Sequence, residues 1–144
     1  MALRRPWFTE VILDTSALIA VFYLEPEGRR FEELILNADA CRISAPNFVE
    51  LSMVLEGSAG PGASRHCEMF FTQTEIIIEP LTVAQAYLAR QAFYDFGKGR
   101  HPAGLNFGDC FSYALSKATG EPLLFKGEDF ARTDINRRSE GPAG

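Results

Sequence analysis

VILDTSALIAVFYL, residues 11–24, decides how this chain is read. Val11-Ile12-Leu13 is a short apolar, β-branched run that reads as a buried strand ending at Asp14, and Ser16 to Leu24 carries apolar residues on every side, as a helix covered by neighbours would. A strand apolar at consecutive positions is buried on both faces, so this one is expected to lie centrally in a parallel sheet. Asp14 interrupts the run where desolvating a lone carboxylate would be costly.

Working outward, the same alternation of strand and helix continues. Pro26 suits a first helical turn, and Phe31, Leu34 and Ile35 mark the inner face of a second helix ending near Asp39. Cys41 to Ser44 reads as the next strand. Pro46 opens a helix expected to run through Glu56 and close at Gly57; after the break Gly60-Pro61-Gly62, another covers about Ala63 to Thr72, giving a helical hairpin. Glu75-Ile76-Ile77-Ile78-Glu79, stopped by Pro80, is a strand, and Thr82 caps a helix reaching Phe96-Gly97. From Asn106 onward Phe107, Cys110, Phe111, Ala114, Leu115 and Ala118 follow the helical period, with Gly120 as the stop. Leu123-Leu124-Phe125 is a short buried strand, Glu128 to Ala131 one turn of helix, and Thr133-Asp134-Ile135 a last edge strand. The pattern predicts an α/β domain with a central parallel sheet of four to five strands and helices on both faces. Ligands of such sheets gather beyond the carboxyl ends of the strands.

The 144 residues suit one domain, assigned to 1–136, followed by a flexible tail over 137–144. A net charge of −5 and a pI near 5.0 argue against a generic nucleic-acid coat, but not against an enzyme whose bound metal faces phosphates. Cys41, Cys67 and Cys110 have neither disulfide nor zinc-ligand spacing, which fits a reducing cytosol. The start MALRRPWFTE lacks an apolar export region, and no segment reads as a membrane span.

Against this frame stand Asp14, Glu50, Asp109 and Asp129. Singly, each has a plain structural explanation: Asp14 and Asp129 as helix caps, Asp109 as the acid of a capping arrangement with Asn106, and Glu50 as a solvated helix residue. Together they map to one edge of the expected sheet, which acids on ordinary helix faces such as Glu32, Glu33 and Glu68 do not. Clustered carboxylates repel, raising at least one pKa unless a cation joins them. Hard oxygen donors without nearby His or Cys select Mg²⁺ or Mn²⁺, ions that activate water and neutralise charge during displacement at phosphorus.

The segments Asp14-Thr15-Ser16-Ala17-Leu18, Asn47-Phe48-Val49-Glu50, Leu105 to Ala114 and Phe125-Lys126-Gly127-Glu128-Asp129-Phe130, with Thr133-Asp134-Ile135, resemble the PIN-domain ribonucleases and, more narrowly, the VapC toxins of bacterial toxin–antitoxin pairs. The resemblance implies a Rossmann-like PIN fold with Asp14, Glu50, Asp109 and Asp129 as both metal ligands and catalytic residues. Thr15, Ser16 and Asp134 become supporting site residues. It also implies Mg²⁺- or Mn²⁺-dependent endonucleolytic cleavage of RNA, structured RNA such as tRNA included, which inhibits translation and growth, together with a homodimer and a VapB-type antitoxin whose tail blocks the active-site groove. Two departures stand out. Glu128 precedes Asp129 where Asn or Asp is usual, leaving Glu128 or Asp134 as substitutes, and the chain begins about eight residues before the family's first strand would, so that residues 1–9 are either a true N-terminal extension or a start-site artefact.

Hydrolysis through activated water would leave 5′-phosphate and 3′-hydroxyl ends. Lys98 and Arg100, in the glycine-flanked basic loop Gly97-Lys98-Gly99-Arg100-His101, with Lys126 and Arg132 beside Asp129, are the RNA-contact candidates. His66 and His101 are unlinked by any spacing that suggests metal-free acid–base cleavage. The rival reading is a PIN-like protein that binds RNA or an antitoxin without cutting.

Overall fold

The sheet of the computed structural model has four strands, β1 (Glu10–Leu13), β2 (Ala40–Ser44), β3 (Ile77–Glu79) and β4 (Leu123–Leu124), all parallel and ordered β3-β2-β1-β4. Six helices separate or follow them: α1 (Thr15–Phe22), α2 (Gly28–Asn37), α3 (Ala45–Ala59), α4 (Pro61–Thr74), α5 (Val83–Phe96) and α6 (Phe107–Thr119). The structure describes residues 10–135; the extension over 1–9 and the tail over 137–144 lie outside the described residues.

β1 is central, as its unbroken apolar run implies, and successive side chains point to opposite faces. Val11 and Leu13 join Leu18, Phe31, Ile35, Leu51 and Phe70 in one core beneath α1 to α4. Ile12 joins Ala89, Leu105, Ala114, Leu115 and Leu123 in a second core beneath α5 and α6. With both faces covered, only the strand ends are open to a ligand.

Most helix ends fall where local chemistry places them. Thr82 caps α5 by accepting the Gln85 N–H at 3.1 Å, and Gly120 ends α6 at φ 73°. Pro26 lies ahead of α2 rather than in its first turn; the helix begins at Gly28, where a Cβ would strike the Ala20 backbone.

Three expectations are corrected. α3 passes through Gly57 and ends at Gly60, which has the positive φ (75°) that a helix stop exploits; an exposed helical glycine costs only about 1 kcal/mol, too little to end a helix. Thr133-Asp134-Ile135 is a turn, not a strand. The Thr133 hydroxyl accepts the Ile135 N–H at 3.2 Å and donates to Phe130 O at 2.7 Å, so a side chain takes up bonds a ladder would need. On α6, Phe107 is 81% exposed and Ala118 is exposed, while Ser112, Tyr113 and Ser116 are buried beside Cys110, Ala114 and Leu115. The inner stripe is therefore rotated from the one read from apolar periodicity.

Candidate active site

Asp14 is placed by the sheet. Its N–H donates to Leu124 O at 3.0 Å, continuing the β1–β4 pairing, and its carboxylate turns back to cap α1. Oδ2 accepts the Ser16 N–H at 3.0 Å and the Ser16 hydroxyl at 2.6 Å, while Oδ1 accepts the Ser112 hydroxyl at 2.5 Å. Burial nevertheless dominates: the residue is 3% exposed, and desolvation holds the carboxyl above its ordinary pKa against those three donors, with the Glu50 charge adding to the rise.

Ser16 has a second task. Its oxygen accepts the Lys126 N–H at 3.0 Å and so fastens the loop leaving β4, on which Asp129 lies, to the start of α1. Asp129 is exposed at the head of the 3-10 turn Phe130–Arg132 and makes no capping bond with its side chain.

Glu50 lies in α3, half-buried, with Oε1 accepting the Thr15 hydroxyl at 2.6 Å. Its carboxylate presses on the first turn of α6, where a Cβ at Gly108 would stand 2.7 Å from Oε1 and nearer still to Oε2. A side chain at this position would force the Glu50 carboxylate to move.

Asp109 follows directly. It is the third residue of α6 and half of a complete capping box: its N–H donates to Asn106 Oδ1 at 2.9 Å and its Oδ2 accepts the Asn106 N–H at 3.0 Å. Despite that donor its pKa is pushed up to about 7, first by burial and then by Asp14, with Asp129 and Glu50 adding to the effect. All the predicted acids thus act on one carboxyl. Among the described residues no three His, Cys, Asp or Glu side chains already stand close enough together to hold an ion. The chemistry of the donor set nonetheless suits a hard dication: oxygen only, mutually repelling, with one member holding its proton to near neutrality.

Two residues of the site were missed in the sequence, Asn47 and Ser112, each 0% exposed. The Asn47 amide donates to Gly108 O at 2.9 Å and its Oδ1 lies 3.1 Å from the Ser112 hydroxyl oxygen. The signal available was the polar pair Ser112 and Ser116, one turn apart on the apolar side of a helix.

The remaining predicted residues have other partners. Asp134 accepts from the Tyr113 hydroxyl at 2.7 Å, which lowers its pKa, and from Lys117 at 2.9 Å. Lys126 pairs with Glu25 at 2.8 Å and Glu27 at 3.7 Å. Arg132 donates to Pro102 O at 3.1 Å, and the Arg100 guanidinium lies 5.6 Å from the ring centres of both Phe93 and Tyr94. Lys98 and Glu128 are exposed. His66 packs edge-on to Phe22, and His101 edge-on to Phe96 with its Nδ1 accepting the Ala103 N–H, so neither is placed with the acids. Cys41, Cys67 and Cys110 are buried free thiols, with burial pushing Cys41 up to about 12.

A parallel sheet covered on both faces, with carboxylates from β1, α3, α6 and the loop after β4 acting on one another at its carboxyl edge, defines the class: a Rossmann-like domain with an acidic site. The sequence matches the PIN domain over residues 11–136, and the chain belongs to the PIN-domain family, within its VapC-type group. It is 45% identical over 128 residues to a Mycobacterium bovis protein named VapC ribonuclease Mb0625, covering 88% of this chain and 96% of that one. With Ribonuclease VapC30 of Mycobacterium tuberculosis it shares 44% over 126 residues, covering 87% and 95% of the two. Among solved structures, Mycobacterium tuberculosis VapC20, described as a toxin that cleaves the sarcin-ricin loop, superposes with a TM-score of 0.73 at 17% identity, covering 90% of this chain and 98% of that one. VapBC2 of Rickettsia felis, bound to a promoter DNA fragment, gives 0.70 at 13% identity, covering 89% and 96%. At such identities these two support the fold alone.

Proposed function

We propose that this chain is the toxin of a toxin–antitoxin pair, a divalent-metal-dependent endoribonuclease that hydrolyses phosphodiester bonds of structured RNA and so inhibits translation and growth. The observation that carries the reading is the placement of Asp14, Glu50 and Asp109 about one junction of α1, α3 and α6 at the carboxyl edge of the sheet, where Thr15 holds Glu50, Ser112 holds Asp14 and the Glu50 carboxylate lies against Gly108, next to Asp109. Relatives of 45% and 44% identity named as ribonucleases support it from a separate direction.

Asp14, Glu50 and Asp109 would hold a Mg²⁺ or Mn²⁺ ion, with Asp129 directly or through water. Such an ion lowers the pKa of water and neutralises the charge that develops on a displaced phosphate. The protein's own part is placement. Ser16 and Ser112 fix the Asp14 carboxylate, Thr15 fixes Glu50, and the capping box fixes Asp109, so the oxygens are oriented before substrate arrives. Lys98 and Arg100, in the loop leading to α6, would meet phosphates beside the site.

The antitoxin partner, of the VapB type, would cover the groove with its tail; VapBC assemblies are the structural neighbours from Rickettsia felis and Salmonella typhimurium. We place the protein in the cytosol as a homodimer with one domain over residues 1–136; among the described residues no helix is long and apolar enough to cross a membrane. The test is to incubate purified protein with total RNA and Mn²⁺ or Mg²⁺ and sequence the ends. Cleavage abolished by EDTA, leaving 5′-phosphates, is expected; a protein that binds RNA or antitoxin yet leaves every RNA whole would end the nuclease reading.

A further inference from the structure

Beneath the acids lies a buried polar junction that the ligand assignment does not use. Asn47 lies in the first turn of α3 at 0% exposure, and its amide reaches each segment that carries an acid of the inner site. Nδ2 donates to Gly108 O, the carbonyl just before Asp109, at 2.9 Å, and lies 3.4 Å from both Thr15 Oγ1 and Glu50 Oε1. Oδ1 lies 3.1 Å from Ser112 Oγ, whose hydroxyl donates to Asp14 Oδ1 at 2.5 Å.

The proton inventory makes this junction directional. The Gly108 carbonyl can only accept, so the Asn47 –NH₂ must be the end that faces it, leaving Oδ1 on the side of Ser112. Ser112 has one proton, which the shorter separation assigns to Asp14. Neither side chain is exposed, so neither can meet RNA. Their reach is confined to the acids and to the backbone that carries them.

We infer that Asn47 and Ser112 are positioning residues, which lock the spacing of α1, α3 and α6 so that Asp14, Glu50 and Asp109 face one ion. This rests on the metal-dependent reading above and adds to it the parts that hold the ligands. Outer partners of metal ligands typically change affinity by about 10–100-fold when removed. A buried amide that served stability alone would lower the melting temperature and leave the folded protein's affinity for an ion intact.

The experiment measures Mn²⁺ affinity by calorimetry, at a temperature where circular dichroism shows each variant folded, beside kcat and KM for RNA cleavage. Asn47→Ala and Ser112→Ala should weaken Mn²⁺ binding by at least ~10-fold and lower kcat with little change in KM, whereas Ser112→Thr, which keeps the hydroxyl, should retain near-wild-type affinity. Unchanged Mn²⁺ affinity in both alanine variants would overturn the inference, even if both melt earlier. Should Asn47→Ala not fold, Ser112→Ala, which removes a single buried oxygen, decides alone. A wild-type chain that takes up no Mn²⁺ would instead defeat the underlying nuclease reading, and the two failures are told apart by that control.

Discussion

Gly108 is the residue against which the Glu50 carboxylate rests: a Cβ there would lie 2.7 Å from Oε1, inside any normal contact. The acid of the second turn of α3 therefore lies on the backbone of the first turn of α6. Gly108→Ala should displace Glu50 and lose about 1–3 kcal/mol of stability by overpacking. Chemical denaturation together with cleavage kinetics checks it, with activity expected to fall further than stability explains.

On the proposed metal-dependent mechanism, Asp14→Asn should remove cleavage almost wholly, by about 10³-fold or more, since it would remove a ligand to an ion supplying several kcal/mol. Asn is as good a helix cap as Asp, so α1 should remain. Because burial already disfavours the charged carboxyl, the metal-free variant should melt at a higher temperature than wild type. A variant that melts lower would show the carboxylate to be structurally needed.

Metal binding should depend on pH through Asp109. With its pKa raised to about 7, the proton competes with an ion, so Mn²⁺ affinity should climb with pH and level off above about 7. The metal-free fold follows the opposite course. Between the unfolded value of 3.8 and about 7 the folded state holds more protons than the unfolded one, so this group's contribution to stability is lost as pH rises through that window. Thermal melts across pH 4–8 with and without Mn²⁺ should therefore diverge most at the alkaline end.

Lys98 and Arg100 are expected to grip phosphate without touching the chemistry. Replacing both with Ala should raise KM, leave kcat largely intact and flatten the salt dependence of RNA binding by about one unit of slope. A kcat effect equal to the KM effect would place the loop nearer the reacting bond.

Arg42 offers a control away from the site. Its guanidinium gathers Glu10, Glu79 at 3.3 Å and Glu121 at 2.9 Å, joining three parts of the sheet. Arg42→Met would leave those carboxylates to repel one another and should cost about 1–3 kcal/mol. Cleavage per folded molecule should not change.

Asp14 at a strand end, the Asn106/Asp109 capping box and the Thr82 cap were all legible because each is a relation among residues a few positions apart, set by hydrogen bonds and periodicity that neighbouring residues express on their own. The same locality misled at Gly57, where a glycine looked like a stop, and at Thr133-Asp134-Ile135, where a short run looked like a strand although its hydroxyl had nearer bonds to make.

What the amino acids by themselves determined was the alternation of elements, the parallel sheet and the edge at which the acids collect. What only the tertiary structure decided was the rotation of α6 that exposes Phe107 and buries Ser112, the contact of Glu50 with Gly108, and the junction at Asn47. Ser112 and Asp14 are 98 positions apart, and no local preference encodes so distant a pairing; it arises when two cores close on opposite faces of one sheet and bring their helices to a shared edge.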